Sequence, residues 1–151
     1  MTLAVHSPVA GTTIPLGEVP DPVFAQAMVG PGVAVRPEGG RADAVAPIDG
    51  TVATLHPHAF VVAADDGRAV LVHLGIDTVK QQGEGFSLHV VQGESVRAGQ
   101  PVVSWDPDAV TAAGYSPVVP VIALDATDGT LTAPGPGAAV SAGDELFTWS
   151  G

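Results

Sequence analysis

Short apolar runs separated by turn-forming residues set the rhythm of this chain. Val33–Val35, Ala44–Ala46, Thr51–Leu55, Ala59–Ala64, Ala69–Leu74, Pro101–Trp105, Val118–Ala123, Ala138–Val140 and Glu145–Trp149 have the length and apolar content expected of strands. Between them stand "GPG", "PEGG", "DDGR", "QGEGF", "QGES" and "APGPG", whose Gly, Pro, Asp and Ser residues favour turns. Helical periodicity is scarce, and only Val23–Met28 and Pro107–Ala113 read as short helical turns. Regularly spaced strands with so few helices predict an all-β sandwich or barrel. Two internal echoes suggest that it is built from two related halves. "SPVAGTTIPL" (7–16) resembles "APIDGTVATL" (46–55), and "RAGQPVVSW" (97–105) resembles "SAGDELFTW" (141–149).

With 151 residues the chain is expected to form a single domain over 1–151. A chain of that size buries roughly 70% of its unfolded surface and needs no disulfide or metal staple. It contains no cysteine, which excludes a disulfide framework, a Cys-ligated zinc site and a thiol nucleophile, and fits a reducing compartment. The 46% hydrophobic content excludes disorder. The segment "MTLAVHSPVAG" has neither the basic region nor the continuous apolar region of a secretory signal, and no apolar run approaches the length of a membrane span, so a soluble, cytoplasmic protein is expected. The formal charge of −11 repels phosphate backbones and argues against nucleic-acid binding. It serves solubility, or steers a basic partner protein into contact.

The chemistry centres on "HPHAFVVAADDGRAVLVHLGID" (56–77). Asp66-Gly67 between two apolar runs is a hairpin signal. A two- or four-residue loop puts His58 and His73 on one face of the sheet, whereas a three-residue loop would part them. On one face, their Cβ atoms would lie about 4.5–8 Å apart, close enough to grip one small anion or metal, or to share a proton. Gly75 leaves room for a ligand beside the ring.

Three readings of the pair compete. Each histidine can be an ordinary hydrogen-bonded strand residue. Alternatively, His56, His58, His73 and Asp77 form a His-x-His and a His-x-x-x-Asp set that suits zinc, either in a regulatory module or in a hydrolase with a water in the open position. Lysostaphin-type zinc endopeptidases carry similar motifs, but in the reverse order, and positions 56 and 58 share a strand face only if Pro57 does not break the strand. In the third reading, a neutral imidazole attacks phosphorus without a strong base to activate it, and the phosphohistidine is a labile donor. The second imidazole would donate a hydrogen bond to the phosphoryl oxygens. That chemistry needs no cofactor, and any thiol acceptor would belong to another chain.

Beyond the histidines, "VLVHLGIDTV" with "GEGF" downstream, "HAF", "EVPDPVFAQAMVGPGVAVRP", "VAPIDGTV", "RAGQPVV" and "SPVV" together resemble the glucose-type enzyme IIA component of the bacterial phosphoenolpyruvate-dependent sugar phosphotransferase system, from Ser7 to Trp149. The resemblance implies an antiparallel β-sandwich of two similar halves. It implies that His73 accepts a phosphoryl group on Nε2 from phospho-HPr and passes it to a cysteine of an enzyme IIB domain, while His58 stabilises it. It also implies a partner face formed by Val23, Phe24, Met28, Val29, Leu71, Val79 and Asp77, although "PVFAQAMV" reads equally well as a core-facing turn.

This sequence departs from the family at three places. His56 stands where the family typically has a threonine that supports the site. Lys80 stands where an acidic residue is more usual, and the membrane-seeking N-terminal extension is missing, so no membrane anchor of its own is expected. Monomer is the default oligomeric state. "APIDGTV" and "VRAGQPVV" also resemble biotinyl or lipoyl carriers, but Lys80 lacks the hairpin tip those require.

Overall fold

The computed structural model describes residues 2–127 and 129–150. The chain runs β1 (Thr2–His6), β2 (Gly11–Pro15), α1 (Pro22–Ala25), β3 (Gly32–Pro37), β4 (Ala42–Val45), β5 (Gly50–His56), β6 (Ala59–Ala63), β7 (Ala69–His73), β8 (Ser87–Leu88), β9 (Ser95–Val96), β10 (Pro101–Trp105), α2 (Pro107–Ala112), β11 (Val119–Ala123), β12 (Leu131–Thr132), β13 (Ala139–Val140) and β14 (Glu145–Ser150). Every apolar run read from the pattern forms a strand, and α1 and α2 begin at the two expected helical turns. The pattern does not announce β1, β2, β8, β9 or β12. Three of these span only two residues, and β2 (GTTIP) carries the Gly and Pro that otherwise mark turns.

All the strand pairings are antiparallel. An eight-stranded sheet has the order β13-β2-β3-β11-β7-β6-β5-β9, and two three-stranded sheets have the orders β1-β14-β12 and β4-β10-β8. The duplication expected from the internal echoes is visible in these orders. The large sheet reads as a palindrome about its centre, with β13 matching β9, β2 matching β5, β3 matching β6, and β11 matching β7. The two small sheets match strand for strand. Equivalent turns repeat the same hydrogen bonds: Gly143 N–H donates to the Ser7 carbonyl at 2.8 Å, and Gly99 N–H to the Ala46 carbonyl at 2.9 Å. The pseudo-twofold passes through the central pair Val72↔Val121, both fully buried.

The main core fills the space between the large sheet and the two small ones, with Phe60, Val62, Val70 and Val72 facing Trp105, Leu146, Phe147 and Trp149. A second cluster lies on the other face of the large sheet. There the segment carrying α1 lays Val19 and Phe24 over Ile14, Ala34 and Ile122, with Leu71 and Val29 packed at its margin. Strand alternation therefore divides β7: Val70 and Val72 point into the main core, while Leu71 and His73 point to the opposite face.

Gly11 and Gly50 occupy equivalent places in the two halves. A Cβ at Gly11 would lie 2.1 Å from the Arg36 carbonyl oxygen, and one at Gly50 would lie 2.1 Å from that of Ala63. Gly11→Ala and Gly50→Ala should each lower the unfolding free energy by about 1–3 kcal/mol. Gly17→Ala, with open space around it, should stay within about 0.5 kcal/mol of the parent in the same urea titrations.

Candidate functional site

The site forms where β5, β6 and β7 meet, on the face that carries the second cluster. The register there differs from the sequence expectation. His73 pairs with Ala59, not with His58. The hairpin loop is the three-residue form, Asp65-Asp66-Gly67, closed by the Ala64 N–H to Arg68 carbonyl bond at 2.8 Å. Gly67 has φ 91°, the left-handed residue such a loop requires. A strand residue at position 58 would then face away from His73. His58 meets it nonetheless, because Pro57 and His58 form the turn between β5 and β6 and a turn side chain is free of the strand alternation. Its ring centroid lies 5.2 Å from that of His73, edge to face at 70°.

His73 is locked by its own chain. Its Nδ1 lies 2.5 Å from the Gly75 carbonyl oxygen. A carbonyl only accepts, so Nδ1 carries the proton and the lone pair sits on Nε2. Gly75 reaches that position through φ 82°, and a Cβ there would lie 2.6 Å from Thr78 Cγ2 and 2.9 Å from the Ser116 carbonyl oxygen. Thr78 is buried and donates to the Leu74 carbonyl at 2.8 Å, while Ile76 bridges to Ser116, so the loop that presents the acceptor is tied down on both sides. The Phe24 ring packs on the other side of His73, at 5.2 Å.

Burial is the first cause of the electrostatics. It pushes the His73 imidazole below its ordinary range, opposed by the Gly75 hydrogen bond and by the carboxylates of Asp21 and Asp77. His58 is driven down to about 4 by burial first and then by the rings of His73 and His56. Both rings are therefore neutral at neutral pH, which leaves a lone pair on Nε2 of His73 and one ring N–H on His58.

Of the other residues picked from the sequence, Val23, Met28 and Val79 are exposed at 40%, 68% and 57%. Phe24, which meets His73, is buried, and Val29 and Leu71 are half-buried in the same cluster. Asp77 sits in the left-handed region (φ 62°) at the start of the 3₁₀ turn Thr78–Gln81, which carries Lys80. His56 stacks on His58, not on His73. Among the described residues, no set of three or more His, Asp or Glu side chains is disposed to hold a metal ion. The His56, His58, His73 and Asp77 set thus does not converge as zinc ligands. Sequence reasoning missed Asp21, whose carboxylate caps α1 through the Val23 N–H at 2.9 Å and acts on His73. Asp followed by Pro at a helix start was the available signal.

The family model for the phosphoenolpyruvate-dependent sugar phosphotransferase system, EIIA 1, matches residues 3–129. Among solved structures, the glucose permease IIA from Mycoplasma capricolum is similar, with a TM-score of 0.89 and 35% sequence identity, over 98% of this chain and 96% of that one.

The downward shifts make the folded state bind fewer protons than the unfolded chain below pH 6.5. Stability is full above that value and falls as pH drops from 6.5 towards about 4. Urea midpoints measured across this window should fall with pH, and should fall less steeply in His58→Gln. NMR titration should place the His58 midpoint near 4 and that of His73 below 6.5.

Proposed function

The chain belongs to the EIIA family of the phosphoenolpyruvate-dependent sugar phosphotransferase system and is a phosphocarrier component of it; on that premise we propose that Nε2 of His73 carries the phosphoryl group, taken from phospho-HPr and given to a cysteine of an enzyme IIB domain. The observation that carries this reading is the bond from His73 Nδ1–H to the Gly75 carbonyl, which leaves Nε2 as the free nitrogen beside His58. As Nε2 bonds to phosphorus, the donor's bond to phosphorus breaks and its electron pair returns to the donor. The imidazole then carries positive charge while keeping its Nδ1 proton, and the carbonyl of Gly75 stabilises that charge. When phosphorus is attacked by the thiolate of the acceptor, the electron pair returns to Nε2 and His73 leaves as a neutral ring.

His58 donates an N–H to the phosphoryl oxygens, a contact worth roughly 1.5–3 kcal/mol because its partner is charged. The exposed Val23, Met28 and Val79, with Asp21 and Asp77 at the nucleophile, suit docking of a partner with an apolar centre and a basic margin. No cofactor enters the scheme, because positioning and charge stabilisation suffice for the transfer.

Intact-mass spectrometry at mildly alkaline pH tests the assignment, with phosphoenolpyruvate, enzyme I and HPr as the phosphoryl source. One acid-labile phosphoryl gain is expected, unchanged by a chelator and absent from His73→Ala. His58→Gln should still label but pass the group to an enzyme IIB domain at least tenfold more slowly, given the strength of a hydrogen bond to a charged group. Labelling of His73→Ala, or transfer at the parental rate by His58→Gln, would remove the respective assignment.

A further inference from the structure

We propose that His56 is a positioning residue of this phosphoryl-transfer site, its ring stacked on His58 so as to hold the His58 imidazole over Ala59 against the nucleophile; the role rests on the phosphocarrier reading above.

β5 carries one extra residue at Ala53: Val52 pairs with Val62, but Thr54 pairs with Val61. The bulge moves every later residue of β5 to the opposite face. Leu55 therefore joins the main core, and His56 comes onto the face that carries His73. His56 pairs with Ala59, and Ala59 pairs with His73, so the three stand in one row across β5, β6 and β7. The outer two members of that row stand about two strand spacings apart, roughly 9–10 Å. Alanine at the middle position leaves an opening above its methyl group. The ring of His58 fills it from the turn, with centroids 5.8 Å from His56 and 5.2 Å from His73.

The ring of His58 lies between two other imidazoles. Among the described residues, no hydrogen bond reaches either of its nitrogens. His73 meets it edge to face, a contact that lets the ring swing away, whereas His56 lies nearly parallel to it, 25° between planes, on the outer side. Removing that backstop frees His58 to turn towards solvent, away from the Nε2 it must serve. His56 touches neither the nucleophile nor the phosphoryl group in this scheme, so it acts only through His58. Its exposed ring makes substitution tolerable to the fold.

The test compares His56→Ala and His56→Phe with the parent protein. Phenylalanine keeps a stacking ring and lacks the nitrogens. Proton–proton nuclear Overhauser contacts between the His58 and His73 rings, read in the unphosphorylated protein, report position without activity. Transfer from the phosphorylated protein to an enzyme IIB domain reports consequence. His56→Ala is expected to lose the ring contacts and slow transfer by about three- to tenfold, the size of one aromatic pair, with labelling by phospho-HPr intact. His56→Phe should restore both. Unchanged ring contacts in His56→Ala, or a phenylalanine variant as impaired as the alanine one, would overturn the positioning role even where the parent labels fully. Failure of the parent to label would instead overturn the carrier reading, whatever the ring contacts show.

Discussion

The pairing of Val72 with Val121 at the middle of the large sheet is the constraint on which the rest depends. Both side chains are fully buried and lie on the pseudo-twofold of the duplicated fold. The pairing makes β7 a central strand, with β6 and β11 on its flanks, so the backbone that bears His73 is hydrogen-bonded on both edges. A histidine on an edge strand or a long loop would have to be ordered at each transfer, at a cost in conformational entropy. The same pairing identifies the position equivalent to His73 in the other half. His73 follows Val72 as Ile122 follows Val121, and Ile122 is a fully buried member of the second cluster. The duplication thus supplies the scaffold twice and a histidine at this place once.

At the end of that rigid strand the chain turns left-handed at Gly75 and again at Asp77. The first of these turns brings the Gly75 carbonyl back onto the ring two residues earlier. The tautomer of His73 is therefore a consequence of backbone geometry and not of a carboxylate partner. A carbonyl stabilises a proton without removing it, which suits the proposed cycle, in which the ring gains positive charge with phosphorus and then releases the group unchanged. Thr78 and Ser116 fill the space in which any Cβ at position 75 would lie, so the glycine is required both by conformation and by packing.

Much of this was legible in the sequence, and the exceptions share one cause. The alternation in "AVLVHL" foretells that Leu71 and His73 share a face, and the internal echoes foretell the palindromic sheet. Asp66-Gly67 foretells the hairpin but not its loop length, because Asp65 and Gly67 serve a three-residue loop as well as Asp66 and Gly67 serve a two-residue one. The one-residue difference reverses the inferred face of His58, and the turn at Pro57 reverses it again. The pair was therefore recognised on a register that the fold does not use. The bulge at Ala53 has no signature in an alanine flanked by Val52 and Thr54, so the row linking His56 to His73 stayed invisible. Side-chain identity marked the chemistry, but one-residue shifts of the backbone decide which imidazoles touch.

The charge balance completes the account of a carrier as distinct from a sink. The chain has 16 acidic and 5 basic residues, and no lysine or arginine figures among the groups that shift either imidazole. A site built from arginines would hold a phosphoryl dianion through bidentate, fully charged contacts and resist giving it up. Here the donors available are N–H groups of rings that burial keeps neutral, while Asp21 and Asp77 oppose the accumulation of negative charge nearby. In the proposed scheme neutral N–H donors hold the phosphoryl oxygens through single hydrogen bonds, weaker than bidentate guanidinium contacts, so the group is positioned for transfer without being trapped. In that scheme the acidic surface and the neutral site act together: one limits how tightly phosphate is kept, and the other limits how much charge must be moved to take it or release it.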